Sequence, residues 1–223
     1  MAVPQSMSDI KSKLLRPATT SNFYCEFRPP NSEEYKKFTE QREKSNAGIF
    51  LDKETQELIS LSCFDTSLPG SGLQTANLQD SYTGVNETYA YRRAYDNRAD
   101  FSFYVDHNDN LKGGYKVILF FENWIAFISN ERFRGDVDIK NPNYFYRMNY
   151  PEDYIGQVTI EKFERDHTRG DAGDSLLYTL WYAYPLSMTS MPVSYEASQV
   201  LKCTVSFSYQ RYTVQRNKSK ISP

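Results

Sequence analysis

The sequence predicts a mainly antiparallel β protein with one packed α-helix. Three observations carry that prediction. Short segments in which apolar and polar residues alternate recur along the chain, separated by proline and glycine clusters. Aromatic residues make up 15% of the 223 positions, with eighteen tyrosines and fourteen phenylalanines. Rings therefore supply much of the buriable area, and they favour strands and protein contacts. A single segment, Tyr115–Ser129, repeats its apolar residues at helical spacing instead.

The elements follow in order. Residues 1–20 are polar, carry Pro4 and Pro17, and read as an N-terminal arm. "NFYCEF" (Asn22–Phe27) is a short aromatic strand halted by Pro29 and Pro30. The segment 29–57 is a charged insertion; within it "NSEEYKKFTEQREKSNAG" suits an exposed helix or a mobile stretch kept out of the core, with Ser32 as N-cap and Gly48 as stop. "ELISLSCF" (Glu57–Phe64) alternates Ile59, Leu61 and Cys63 against Ser60 and Ser62, as a half-buried strand does. Pro69, Gly70 and Gly72 then force a turn. Leu73–Arg98 is polar, β-prone and dotted with tyrosine, which suits a long hairpin or an interface loop.

"DFSFYVD" (Asp100–Asp106) puts Phe101, Phe103 and Val105 on one side of a strand. In the helix, Val117, Phe121, Trp124 and Ile128 share a face that Ile118 and Ile125 widen, fit to plug a sheet. "NPNYFYRMNYPEDYIG" (Asn141–Gly156) is a tyrosine-rich loop. Three strands close the chain: "GQVTIEKF", "SLLYTLWYAY" and "QVLKCTVSFSYQRYTV". In the last, Leu201, Cys203, Val205, Phe207 and Tyr209 face a core, while Lys202, Thr204, Ser206, Ser208 and Gln210 face water. Residues 215–223 are a basic tail. The main domain thus spans 21–214.

Composition excludes several functions. A net charge of −2 gives no global attraction to nucleic acid. The longest apolar run, "VILFF", is far too short for a bilayer, and the start lacks a signal-like segment. Synthesis in a reducing cytoplasm, without a membrane anchor, is expected. Cys25, Cys63 and Cys203 fit no metal or redox spacing and read as small buried thiols. His107 and His167 sit in polar loops with nothing to suggest a triad. "DHNDN" begins like a calcium loop but puts Leu111 where the tight-turn glycine belongs; "DHTRGDAGD" (Asp166–Asp174) reads as a hairpin loop. The two Arg-Gly-Asp tripeptides, 134–136 and 169–171, are polar-loop sequences. No catalytic, cofactor or metal site is expected.

Taken together, "NFYCEF", "ISLSCFDTSLPGSG", "DFSFYVD", "FFENWIAF", "VTIEKF" and "YTLWYAYPLSMTSMPVSYEASQVLKCTVSFSYQRY" resemble the tail tube protein of contractile-tailed bacteriophages. The resemblance covers roughly Asn22–Tyr212, and its most specific part is the C-terminal block. It implies antiparallel sheets in a tube-type β-barrel or sandwich, with long interface loops. It further implies homohexameric rings stacked into a virion tail tube, through which DNA passes after sheath contraction. Implied partners are other copies, the tail sheath, a baseplate tube-initiator, a tail terminator, and tape-measure protein and genomic DNA in the lumen.

On that reading the excursion from Pro185 to Ser198 leaves the sheet to meet a neighbour. The candidate inter-subunit contacts are Pro69, Gly70, Leu73, Tyr89, Tyr91, Pro185, Leu186, Met188, Met191 and Pro192. The hydroxyl-rich face of Thr204, Ser206, Ser208 and Gln210 suits either the lumen wall or an outward surface. A baseplate initiator or an injection-system tube would use the same contacts. A ligand-binding β-sandwich using tyrosines as stacking platforms is the alternative of another class.

Overall fold

Two antiparallel sheets share one long strand. The computed structural model describes residues 18–44, 52–79, 84, 86–107, 114–130, 147–164, 174–196 and 199–218. The arm before Ala18, the helix stop at Gly48, residues 108–113, both Arg-Gly-Asp tripeptides, His167 and the tail beyond Lys218 lie outside them. The first sheet has the order β1-β6-β7-β9, built from β1 (Phe23–Arg28), β6 (Gly156–Lys162), β7 (Asp174–Met188) and β9 (Arg211–Lys218). Its register runs straight across: Cys25 opposite Ile160, Ile160 opposite Tyr178, Tyr178 opposite Val214.

The second sheet continues from β7 through β8 (Lys202–Ser208) and β5 (Arg98–Tyr104) to β2 (Cys63–Thr66). β7 changes sheets at Tyr182. It pairs with β9 up to Trp181 and with β8 from Tyr184. Opposite β6, Tyr182 is the unpaired extra residue, held at φ 58°. Such a bulge bends a strand, and left-handed backbone in a residue with a side chain costs roughly 1–2 kcal/mol.

The core lies between the sheets and is mostly aromatic. Phe27 of β1 meets Phe101 of β5 edge-on at 5.1 Å, and Phe207 of β8 at 5.7 Å. Each buried phenylalanine contributes up to about 3 kcal/mol. The helix predicted at Tyr115–Ser129 is present as Lys116–Ile128 and closes this core; Phe121 lies 5.6 Å from Phe27 and Trp124 lies 5.7 Å from Phe207. Its buried face holds Val117, Phe121 and Trp124, as the spacing requires. Ile118 and Ile125 are only half-buried, and the width comes from Phe120, Asn123 and Phe127.

Among the described residues three further helices occur: Glu33–Lys44, Lys53–Ser62 and the short Pro151–Tyr154. In chain order the four are α1 (33–44), α2 (53–62), α3 (116–128) and α4 (151–154). The Ser32 hydroxyl accepts from the Tyr35 amide at 3.2 Å, the cap predicted for α1. The insertion is nevertheless not outside the core. Tyr35 is buried with its ring 5.1 Å from Phe127, because this one aromatic face lets an otherwise charged helix lie on α3.

Other expectations need correction. Glu57–Phe64 is not a strand: α2 runs to Ser62 and β2 begins at Cys63. Asp52 caps α2 by accepting from the Thr55 amide at 2.8 Å, and Thr55 and Ile59 share its buried face. Leu61 is 75% exposed. Three alternating apolar residues fit either period, and the cap decides. The final strand is two strands. The chain steps by one residue at Tyr209–Gln210, so burial at 203, 205, 207 and 209 resumes at 212. There the Tyr209 amide bonds Asn97 O and the Gln210 amide bonds Trp181 O.

Residues 215–218 belong to β9 instead of a tail. The excursion does not begin at Pro185, which is buried within β7; the strand runs on to Met188. A register shift between Pro185 and Ser187 accommodates the missing N–H. The tyrosine-rich loop contains α4. Cys25, Cys63 and Cys203 are all free and buried, as expected. Contact with the Cys63 thiol, then burial, pushes the Cys25 thiol up; burial pushes Cys203 up to about 11.

Candidate functional site

The most exposed element is a two-stranded hairpin, β3 (Ser71–Gln79) and β4 (Asn86–Tyr95). Its sequence is β-prone and its register is complete, with Leu73 opposite Arg93, Ala76 opposite Tyr89 and Leu78 opposite Glu87; a shift after Gln74 leaves Tyr91 as the extra residue. Side chains alternate across a strand, so Ala76, Leu78, Glu87 and Tyr89 share one face. Thr75, Asn77, Thr88 and Ala90 share the other.

Among the described residues, nothing covers either face. Leu73 is 65% exposed, Leu78 60%, Tyr89 53% and Tyr91 67%. Polar side chains tie the ladder to itself: Thr88 donates to Asn77 at 3.1 Å, Tyr91 to Gln74 at 3.3 Å, and Tyr89 to Glu87. An isolated hairpin is marginal in water, and this one presents apolar surface on a stem that the described residues of the body leave exposed.

The root is held more firmly. The Asp96 amide donates to Gly70 O at 3.1 Å. Arg93 lies over the rings of Tyr95 (4.8 Å) and Tyr212 (5.7 Å) and donates to the Ser71 hydroxyl at 3.1 Å. Beside it opens a hollow of about 520 Å³ lined by Gln74, Arg92, Arg93, Tyr209 and Gln210, among others. Among the described residues the buried Tyr209 hydroxyl finds no hydrogen-bond partner. Burial first, then the Asp96 charge, pushes it up to about 12.

Of the predicted contacts, Leu73, Tyr89 and Tyr91 lie on the hairpin, with exposed Gly70 at its root; Pro69 is buried inside the chain. The second group lies along the end of β7 and the segment after it. Leu186 and Pro192 are exposed, Met188 and Met191 half-buried against the core, and Pro185 buried. Leu78, Val193 and Tyr195, outside the expected set, are also exposed apolar residues, the last fully so. Leu78 could have been found by pairing the hairpin. Val193 and Tyr195 follow Pro192 and carry no periodic signal.

The predicted hydroxyl face is on the outer side of the second sheet. Thr204 is within 3.1 Å of the Ser102 hydroxyl; Ser206 donates to Asp100 at 2.5 Å and accepts from Arg98 at 3.1 Å. Ser206 is buried instead of facing water, Ser208 is half-buried, and Gln210 follows the strand in the hollow at the hairpin root. The outer side of the first sheet is also polar. Register and alternation place Arg28, Gln157, Trp181 and Arg211 in one row, and Glu26, Thr159, Thr179 and Thr213 in the next. Arg28 is already bound by both Glu26 oxygens, at 2.9 and 2.8 Å. Among the described residues no strand pairs with the outer edge of β9. The edge of β1 is met by Gln56, which donates to Phe27 O at 3.1 Å.

Residues 18–215 match the family model described as "Phage tail tube protein". No curated protein matches the chain. Among solved structures it is similar to the tube-terminating cap of the anti-feeding prophage, at 12% identity over 91% of this chain and 93% of that one, with a TM-score of 0.49. It is similar to a chain of the same particle's six-fold symmetrised baseplate, at 14% identity, 90% and 96% coverage and a TM-score of 0.49. A chain of the PVC sheath–tube complex, an extracellular contractile injection system, matches at 11% identity, 95% and 99% coverage and a TM-score of 0.43.

Proposed function

The chain belongs to the phage tail tube protein family, and on that premise we propose that it assembles into homohexameric rings that stack into the inner tube of a virion tail. The observation that carries this reading is the β3–β4 hairpin, exposed on both faces. Covering Leu73, Leu78, Tyr89 and Tyr91 with a second copy removes apolar surface that the monomer leaves in water. The exposed Leu186, Pro192, Val193 and Tyr195 serve as a second contact.

The first sheet supports ring closure. It has four alternating antiparallel strands, so β1 and β9 run in opposite directions. When β9 meets the β1 side of the next copy, the junction is antiparallel like the rest, and repetition covers the open edge of β9. The outer face of this sheet then lines the lumen. Its Glu26–Arg28 pair is self-neutralised and its middle row is hydroxyl-rich, which lets DNA slide without tight phosphate contacts. Thr204, Ser206 and Ser208, on the other sheet, take the outward position beside the sheath.

The role is structural and non-enzymatic. Partners of the assembled tube are sheath, baseplate initiator and terminator at the outside and ends, with tape-measure protein and genome inside. Negative-stain microscopy of the purified protein at rising concentration, with and without purified baseplates, tests this. Rings or hollow fibres are expected. A monomer at every concentration that also fails to extend a baseplate overturns it.

A further inference from the structure

We propose that Arg93 is the positioning residue that fixes the direction of the β3–β4 hairpin, acting as a clasp between the hairpin and Tyr212 of β9. The inference rests on the reading of the hairpin as an inter-subunit contact. The hairpin joins the body through two single strands of chain, residues 67–70 and Asp96–Asn97. One backbone bond, from Asp96 to Gly70, closes the root. Along the rest of its length its faces are exposed. Nothing in the ladder itself sets the angle at which it leaves the sheet.

Arg93 spans that joint. Its guanidinium carbon is 4.8 Å from the ring centre of Tyr95, the last hairpin residue, and 5.7 Å from that of Tyr212 in the body. The same group donates to Ser71 at the start of β3. One planar cation thereby holds both hairpin strands against one ring of the sheet, which a lysine cannot do at once. The anchoring ring is itself fixed. Tyr212 is buried, edge-on to Tyr95 at 5.5 Å, and near Tyr178 (5.8 Å) and Tyr209 (6.5 Å). The adjacent hollow of about 520 Å³ leaves the stem room to swing once the clasp is gone.

The test uses the full chain with spin labels at Thr75 on the hairpin and Gln215 on β9, in Arg93→Ala, Arg93→Lys and Tyr212→Phe backgrounds. Wild type and Tyr212→Phe, which keeps the ring, should show one narrow distance distribution. Arg93→Ala should broaden it while the melting midpoint stays within the scatter of other surface variants, and Arg93→Lys should restore it in part. If the docking direction is then populated a tenth of the time, apparent assembly affinity falls about tenfold. A wild-type distance distribution in Arg93→Ala overturns the clasp, whatever assembly does. A broadened distribution with unimpaired assembly leaves the clasp standing and instead sinks the hairpin as the inter-subunit contact. If Arg93→Ala does not fold, Arg93→Gln removes the cation while keeping a donor for Ser71, and is read the same way.

Discussion

The indole Nε1 of Trp124 donates to the carbonyl oxygen of Tyr154 at 2.9 Å. This bond ties the core-closing helix to the turn that delivers β6, and it determines which residue can follow. At Gly156 an added Cβ would meet Arg28 O at 2.3 Å and the Trp124 ring at 2.7 Å. Neither neighbour is the free end of a flexible side chain, one being backbone of β1 and the other a fully buried indole. Gly156→Ala should lower stability by about 2 kcal/mol or more, as overpacking does. Urea unfolding checks this: the midpoint should fall with an unchanged slope. An unaltered midpoint would show that β1 or Trp124 yields easily.

Asp52→Ala should cost about 1 kcal/mol, the usual worth of a helix cap. Asp52 accepts from the Thr55 amide at the start of α2. Asp52→Asn keeps the acceptor and should recover most of that loss in the same urea measurement.

The double substitution Tyr89→Ala and Tyr91→Ala should leave monomer stability within about 0.5 kcal/mol, as is usual for exposed positions. Both rings are more than half exposed. Sedimentation of the same sample should show assembly abolished or strongly retarded. Fibres of wild-type yield would remove these rings from the interface.

Glu164 predicts a local pH response. Hydrogen bonding from Lys162 comes first, and Thr19 adds to it, so that its carboxyl is held below the ordinary value of 4.5. A depressed carboxyl contributes above its unfolded value and loses that contribution as pH falls through the folded one. The Thr19 tether, made through its amide (3.2 Å) and hydroxyl (3.0 Å), should therefore release below pH 4.5. The Thr19 amide resonance reports it, and Glu164→Gln should abolish the titration. A titration that survives this substitution assigns the response to another group.

Much of the fold was legible where burial alone decides. The strands at Asn22–Phe27 and Asp100–Asp106 and the α3 helix carry enough apolar residues on one side to exclude the other period. Legibility failed where competing signals were short. Ile59, Leu61 and Cys63 alternate as a strand does, yet the Asp52 carboxylate, seven residues before Ile59, caps the Thr55 amide and starts a helix. The one-residue step at Tyr209–Gln210 left no mark, because Tyr209 keeps the parity of the strand before it and Tyr212 opens another. Of the candidate contacts, the exposure of Tyr89 and Tyr91 was readable from tyrosines set on a polar strand. Pro69 and Pro185 were misjudged as surface because proline signals a break in the chain and says nothing of what packs over the ring.

The sharing of β7 between two sheets has a mechanical consequence. A sandwich whose layers touch only through side chains can shear, one layer slipping over the other under load. Here fifteen residues pass from one layer into the other as a single covalent strut, bent at Tyr182. A thrust along the first sheet is therefore expected to reach the second through peptide bonds and strand hydrogen bonds loaded lengthwise. Stiffness of this kind belongs to the subunit before any neighbour is added, and a stack of such subunits would inherit it at every level.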